Sequence, residues 1–308
     1  MRQTSTVTKL LAAGAAVFAL AFGGCAQLDR PTSSSTSRAG ASAGPALWVV
    51  RDEDSTIYLF GTVHVMKPET VWRTPKIDQA LAASDELVLE ITEVDDPAAM
   101  APLVQRYGLD FKTPLSSRIT QAEKAKLEQA AKVIGLPYAA FEPMRPWLVS
   151  LQLVIGALTK AGYDPEAGVD RMLKAAATAA GKHITAFETA EQQLRFFADL
   201  PPEVEMALFR QSLEDFEVGA AEFDPLADGW ARGDLRVLER FLVDEWKAEA
   251  PGLYEVLIVR RNQDWARQIE EKMKGAGTSF VAVGSGHLVG PDSVQAQLKR
   301  RGIASRRL

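Results

Sequence analysis

The chain alternates short β-rich runs with long stretches of helical periodicity. Residues 47–51 and 55–60 are rich in β-branched, aromatic and aliphatic side chains. Asp52-Glu53-Asp54 lies between them as a turn, which predicts an antiparallel hairpin. Further strands are predicted at 86–91, 182–187 and 278–283, with a short closing strand near 303–308. The run at 278–283 is the clearest buried strand of the chain.

From about residue 97 to 267 the pattern is helix-rich. Residues 120–134 open with Thr120 and Glu123 at capping-box spacing and end at Gly135, with Pro137 beyond. Residues 146–160 are so uniformly apolar that a buried helix is expected. A helix over 165–180 should end at Gly181, and Thr189 should cap the next. Residues 202–273 read as several antiparallel helices, interrupted near Asp224-Pro225, Gly233 and Pro251-Gly252. Shorter helices are expected at 75–84 and 292–301. No internal repeat of solenoid period is present.

Composition narrows the class without naming it. The 308 residues are 47% hydrophobic and 24% charged, which suits an ordinary globular protein of one large or two small domains. A net charge of −5 gives no reason to expect nucleic acid as a partner.

The first residues read as targeting. Arg2 and Lys9 precede an apolar run of 13 residues, 10–22, too short to span a bilayer but suited to a secretory signal. The only cysteine, Cys25, follows at once, as in bacterial lipoprotein signals, although Phe22 stands where leucine is usual. The expectation is a signal peptide over 1–24, a lipidated Cys25, a flexible linker over 25–45 and a folded domain over 46–308. The alternative is an ordinary cleaved signal and a secreted soluble protein. Without residues 1–24 the chain has 33 basic and 40 acidic residues, a net charge of −7.

Candidate chemistry centres on two echoing stretches, Gly61-Thr62-Val63-His64 and Gly284-Ser285-Gly286-His287, each at the end of a predicted strand. Glycine there lets the backbone bend or approach a ligand. Imidazole is a common metal ligand and general base near neutral pH. Bare spacing is weak, however, and a structural role competes for each histidine. Glu90 and Glu188, both near strand ends, are the carboxylate companions, with a salt bridge at the sheet edge as the plainer reading. Asp170 could be a plain helix-surface acid. Arg260-Arg261 could bind a substrate carboxylate or form a solvated face, and His183 is expected to be structural. Ser285 is disfavoured as a nucleophile, since no glycine completes a serine elbow. No His-Glu-x-x-His, P-loop or Gly-x-Gly-x-x-Gly is present.

Taken together the motifs resemble one family. Phe60-Gly61-Thr62-Val63-His64-Val65, Val88-Leu89-Glu90 and Gly168-Val169-Asp170 come first. Phe187-Glu188-Thr189, Arg261-Asn262 and Val283-Gly284-Ser285-Gly286-His287-Leu288-Val289-Gly290 follow in order. By them the chain is similar to the TraB/GumN (TraB/PrgY/GumN) family, which includes the Tiki proteases of animals. The resemblance implies an α/β fold akin to erythromycin esterases and the haem-binding ChaN proteins. That fold would have a central mixed sheet, flanking helices and a large helical insertion. It implies that both Gly-x-x-His motifs form one site, with His64, His287 and Glu90 as metal ligands and Glu90, Glu188 and Arg261 as catalytic groups. The implied cofactor is a divalent ion, Mn, Co or Zn, and the implied activity is hydrolysis of a peptide or protein substrate at the cell envelope, facing the periplasm. The alternative from another class is an envelope lipoprotein that binds haem, metal or a partner without catalysis.

Overall fold

The computed structural model describes residues 44–93, 95–218 and 223–308. The expected signal peptide and Cys25 lie outside the described residues, as does the linker up to residue 43. Its last two residues, Gly44 and Pro45, are already buried against the domain.

Strands β1 (Leu47–Arg51) and β2 (Ser55–Thr62) form the expected antiparallel hairpin, with Leu47 opposite Phe60. Its turn is held by Asp52, whose Oδ1 accepts from the Ser55 amide at 2.7 Å and the Asp54 amide at 3.2 Å. Strands β3 (Glu86–Leu89), β4 (His183–Ala186), β5 (Gly277–Gly284) and β6 (Ser305–Arg307) complete a six-stranded mixed sheet in the order β4-β3-β5-β2-β1-β6. The first four strands in that order run parallel, while β1 is antiparallel to both of its neighbours.

Parallel neighbours need crossovers, and here the crossovers are helices. Helix α1 (Pro75–Ala83) joins β2 to β3. Between β3 and β4 lie α2 (Pro97–Gly108), α3 (Gln121–Ile134), α4 (Pro146–Lys160) and α5 (Val169–Ala179). The Thr120–Glu123 capping box forms as expected, and Gly135 ends α3 in the left-handed region at φ 80°. The expected helix over 165–180 splits: Pro165–Ala167 is a 3₁₀ turn, and Gly168 starts α5 afresh.

Between β4 and β5 come α6 (Ala190–Ala198), α7 (Pro202–Val218), α8 (Phe223–Ala231), α9 (Leu235–Glu239), α10 (Glu245–Glu249), α11 (Pro251–Tyr254) and α12 (Arg260–Lys272). Two π-helical segments, Arg240–Asp244 and Glu255–Val259, are spliced into this run and have no counterpart in the sequence pattern. Helix α13 (Val294–Arg300) precedes β6.

Both sheet faces are covered. Along β2 and β5, Phe60, Phe280 and Ala282 face the larger core, and Ile57, Leu59, Val281 and Val283 the smaller one, the alternation a strand imposes. The larger core includes α4, buried nearly all round as its composition foretold, which packs on α7. The smaller core is closed by Trp265, Ala266 and Ile269 of α12 and Val294 and Leu298 of α13.

Candidate functional site

The carboxyl ends of the four parallel strands bring the candidate residues into a row. Glu188 follows β4, Glu90 follows β3, His287 follows β5 and His64 follows β2. This is the edge of an open parallel sheet at which ligands bind.

The two Gly-x-x-His stretches touch because β2 and β5 are neighbours in parallel register, with Thr62 beside Gly284. A Cβ on Gly61 would lie only 3.0 Å from Ser285 Cα, so glycine is what allows the two loops to meet.

The first loop is gripped by the segment leading into α5. Met66 and Asp164 exchange backbone hydrogen bonds of 3.3 and 2.9 Å, and the Val169 amide donates to the Val63 carbonyl at 3.0 Å. Gly168 passes so close that a Cβ there would stand 2.3 Å from the His64 carbonyl oxygen. This grip sets Asp170 Oδ1 3.1 Å from His64 Nδ1, with both side chains buried. Burial disfavours the imidazolium, but the charge and hydrogen bond of Asp170 outweigh it, and the His64 pKa is raised above its ordinary value. Among the described residues no hydrogen bond engages His64 Nε2.

The second loop meets a buried cation. Arg261 Nε donates to Glu188 Oε1 at 2.8 Å, and Nη2 donates to Glu188 Oε2 at 2.8 Å and Glu90 Oε2 at 2.6 Å. Its Nη1 reaches the Leu257 carbonyl at 3.2 Å and His287 Nε2 at 3.1 Å. Every N–H of the guanidinium is thereby used. The π-helical turn Glu255–Val259 lies one residue before Arg261 and contains the Leu257 carbonyl that the side chain takes. Gln193 Nε2 braces both carboxylates at 3.1 and 2.9 Å, Trp265 Nε1 donates to Glu188 at 3.0 Å, and the Gly284 amide donates to Glu90 Oε1 at 2.7 Å.

These contacts fix the charge states. A guanidinium can only donate, so His287 Nε2 accepts, and its Nδ1–H donates to Asn262 Oδ1 at 2.6 Å. His287 is therefore a neutral imidazole: burial, then the Arg261 charge, push its pKa down to about 3 against the pull of Glu90. Burial alone would raise the Glu90 pKa, yet the Arg261 charge above all, with the hydrogen bond from the Gly284 amide, holds it far below the usual carboxylate range. Glu188 and Glu90 in turn raise the Arg261 pKa despite its burial.

His64, Glu90 and His287, expected to hold a metal, do reach one edge and sense one another's charge. Among the described residues, however, no three histidine, cysteine or carboxylate side chains are grouped to hold a metal ion. The lone pair of His287 Nε2 and both lone pairs of Glu90 Oε2 are already engaged, which leaves only His64 Nε2 and one lone pair of Glu90 Oε1. As arranged, the three do not make a metal-binding set.

Of the other candidates, Arg260 is exposed while its neighbour Arg261 is buried, so the pair is not one solvated face. The salt-bridge reading of Glu90 and Glu188 holds, but inside the site rather than at an exposed edge. Asp170 is no surface acid, since it is buried against His64. His183 is exposed, 3.8 Å from Glu86 and apart from the site. Ser285 is buried and hydrogen-bonds neither histidine.

The sequence reading missed Asn262, Gln193 and Trp265 as contacts of the site. The Arg-Asn dipeptide and the Trp three residues on were the available signal. None of the described helices is long and apolar enough to cross a membrane.

A model of the TraB/PrgY/gumN family matches residues 46–307. The chain is also similar to the uncharacterized protein YbaP of Escherichia coli (strain K12), 23% identical over 257 residues, which is 83% of this chain and 92% of YbaP. YbaP of Shigella flexneri matches to the same extent, 23% over 257 residues. No solved structure matches the chain.

Proposed function

The chain belongs to the TraB/PrgY/gumN family, and from that premise we propose that it is a hydrolase adding water to an acyl bond, with peptides as the substrate class. The observation that carries this reading is the His64–Asp170 dyad at the carboxyl edge of the parallel strands, with Nδ1 held and Nε2 open.

In this reading His64 Nε2 takes a proton from water as the water oxygen bonds to the acyl carbon, and returns it to the leaving group as the acyl bond breaks. Asp170 holds the ring in the tautomer that leaves Nε2 free and stabilises the imidazolium that forms. Arg261 has no N–H left for a substrate, so it serves as a positioning residue. With Glu90, Glu188 and Asn262 it fixes His287 and the second loop against the first. The likeness to Tiki proteases favours peptides over other acyl compounds.

A divalent metal would need Arg261 to withdraw from His287 and Glu90, so no step here runs through one. Anchoring at the cell envelope through a lipid on Cys25 belongs to the same proposal and accounts for the signal-like residues 1–24.

The full chain, purified in detergent, is assayed on a quenched fluorescent peptide library with chelator and with added Mn²⁺, Co²⁺ or Zn²⁺. Cleavage that survives the chelator and is lost in His64→Ala is expected. Cleavage that persists in His64→Ala overturns the mechanism. The absence of any cleavage moves the chain to the binding class. Uptake of metal that His64→Ala and His287→Ala abolish would restore a metal-dependent site.

A further inference from the structure

Beyond Glu188, on the flank of the site away from His64, lies a cavity of about 560 Å³ between α6, the loop before α7, and the start of α12. That volume is within the range of small-molecule pockets. The apolar part of its lining is Phe187, Phe196, Leu200, Pro201 and Val256, with Gln192 and six charged residues around them.

The charged groups at its border cancel and are already partnered. Arg195 pairs with Asp199 at 2.8 Å, Arg261 with Glu188 at 2.8 Å, Arg260 with Glu255 at 3.4 Å, and Asp264 with Arg267 at 2.5 Å. No charge of either sign is left over to recognise an ion, whereas the apolar walls gain from covering a nonpolar group. The guanidinium of Arg261 is itself sandwiched, 5.4 Å from the Phe196 ring and 4.6 Å from that of Trp265, so the cavity floor is rigid where it meets the site.

We propose that this cavity is a subsite for a bulky apolar side chain of an extended substrate. Calling the ligand a substrate rests on the hydrolase reading; the cavity's preference for an apolar group does not. The position argues for a polymer. Three strand spacings of about 4.8 Å separate β4 from β2, or roughly 14 Å, which an extended chain covers in about four residues at roughly 3.3 Å each. A peptide held here by an apolar side chain would present to His64 a bond at least about four residues away.

The test uses the full chain and the N-acetyl amides of phenylalanine, leucine, aspartate and lysine, with binding measured calorimetrically. The phenylalanine and leucine amides should bind roughly tenfold or more tightly than the charged pair. Leu200→Trp, which fills the cavity while leaving His64 and Arg261 unsubstituted, should abolish that preference. Equal binding of charged and apolar amides, no binding of any, or full binding to Leu200→Trp each overturns the proposal. If the apolar amides bind, Leu200→Trp blocks them and no peptide is ever cleaved, the subsite stands and the hydrolase reading falls.

Discussion

Arg261 meets Glu188 at two points, Nε to Oε1 and Nη2 to Oε2, each 2.8 Å long. This parallel two-bond geometry belongs to a planar guanidinium and cannot be copied by an ammonium. With Glu90 on the remaining Nη2 proton, one buried cation faces two largely buried carboxylates, and His287 completes the set. The network ties α12 to the ends of β3, β4 and β5, so its integrity is that of the site.

Replacing the cation exposes the cost of its partners. Arg261→Met leaves two carboxylates buried without a counter-charge, and removing one partner of a buried pair typically costs about 3–5 kcal/mol. Urea unfolding of Arg261→Met should show a loss of that size, and adding Glu90→Gln and Glu188→Gln should recover part of it. An unchanged midpoint in Arg261→Met would mean that the network does not hold the fold.

The His64–Asp170 contact predicts a pH effect with a defined sign. Asp170 raises the His64 pKa, so the neutral base is lost as pH falls through that raised value. In Asp170→Asn the charge is gone, the pKa drops, and the acid limb of the pH–rate profile should move to lower pH. Its plateau should fall by about a hundredfold as ring orientation and imidazolium stabilisation are lost. NMR titration of the His64 ring gives the same shift without reference to activity. A limb that does not move would remove His64 from the base role.

Much of this was legible in the chain because it is written in local chemistry. The hairpin declared itself through two β-rich runs around Asp52-Glu53-Asp54, the Thr120 capping box through its spacing, and Thr189 as the cap of the helix after it. That the two Gly-x-x-His loops adjoin followed from the family resemblance, because the bare spacing of the glycines and histidines was too weak to show it. Asp170 was not legible, since an acid in the first turn of a helix is favoured by the helix dipole alone, and its partner lies 106 residues away. Gln193, on α6, was hidden for the same reason, since its partner Glu90 lies 103 residues away, and Asn262 and Trp265 for a related one. The π-helical turns before α12 shift the helix face away from a 3.6-residue period.

Gly168 gives a purely steric test of the grip on His64. Its φ of −56° is ordinary, so alanine meets no backbone strain, but chiefly the His64 carbonyl oxygen at 2.3 Å and then the Pro165 carbonyl oxygen at 3.0 Å. Gly168→Ala must push the loop away, at about 1–3 kcal/mol for forced packing, and should depress activity further by displacing the His64 ring. Gly135→Ala is the contrast. It meets no atom within 4 Å but sits at φ +80°, so it should cost about 1–2 kcal/mol with activity per folded molecule intact. Equal activity loss in both would show that Gly168 does not act through His64.

The neutral state of His287 sets a stability window of its own. Its pKa is about 3 in the fold against the ordinary 6.5, so between those values the unfolded chain binds a proton that the folded chain refuses. The stabilisation is complete above 6.5 and is lost as pH falls through that window. His64 works in the other window: its pKa is raised, so its contribution is complete below 6.5 and is lost only as pH rises through the folded value. Below 6.5, then, His287 alone of the two drives the change. Urea midpoints of the wild type and His287→Gln between pH 7 and 5 should separate it, with the wild type falling more steeply toward acid. What counts is the slope, because the substitution itself lowers stability at every pH. Parallel slopes would mean that His287 carries a proton in the folded site, and the hydrogen bond from Arg261 to its Nε2 could not form.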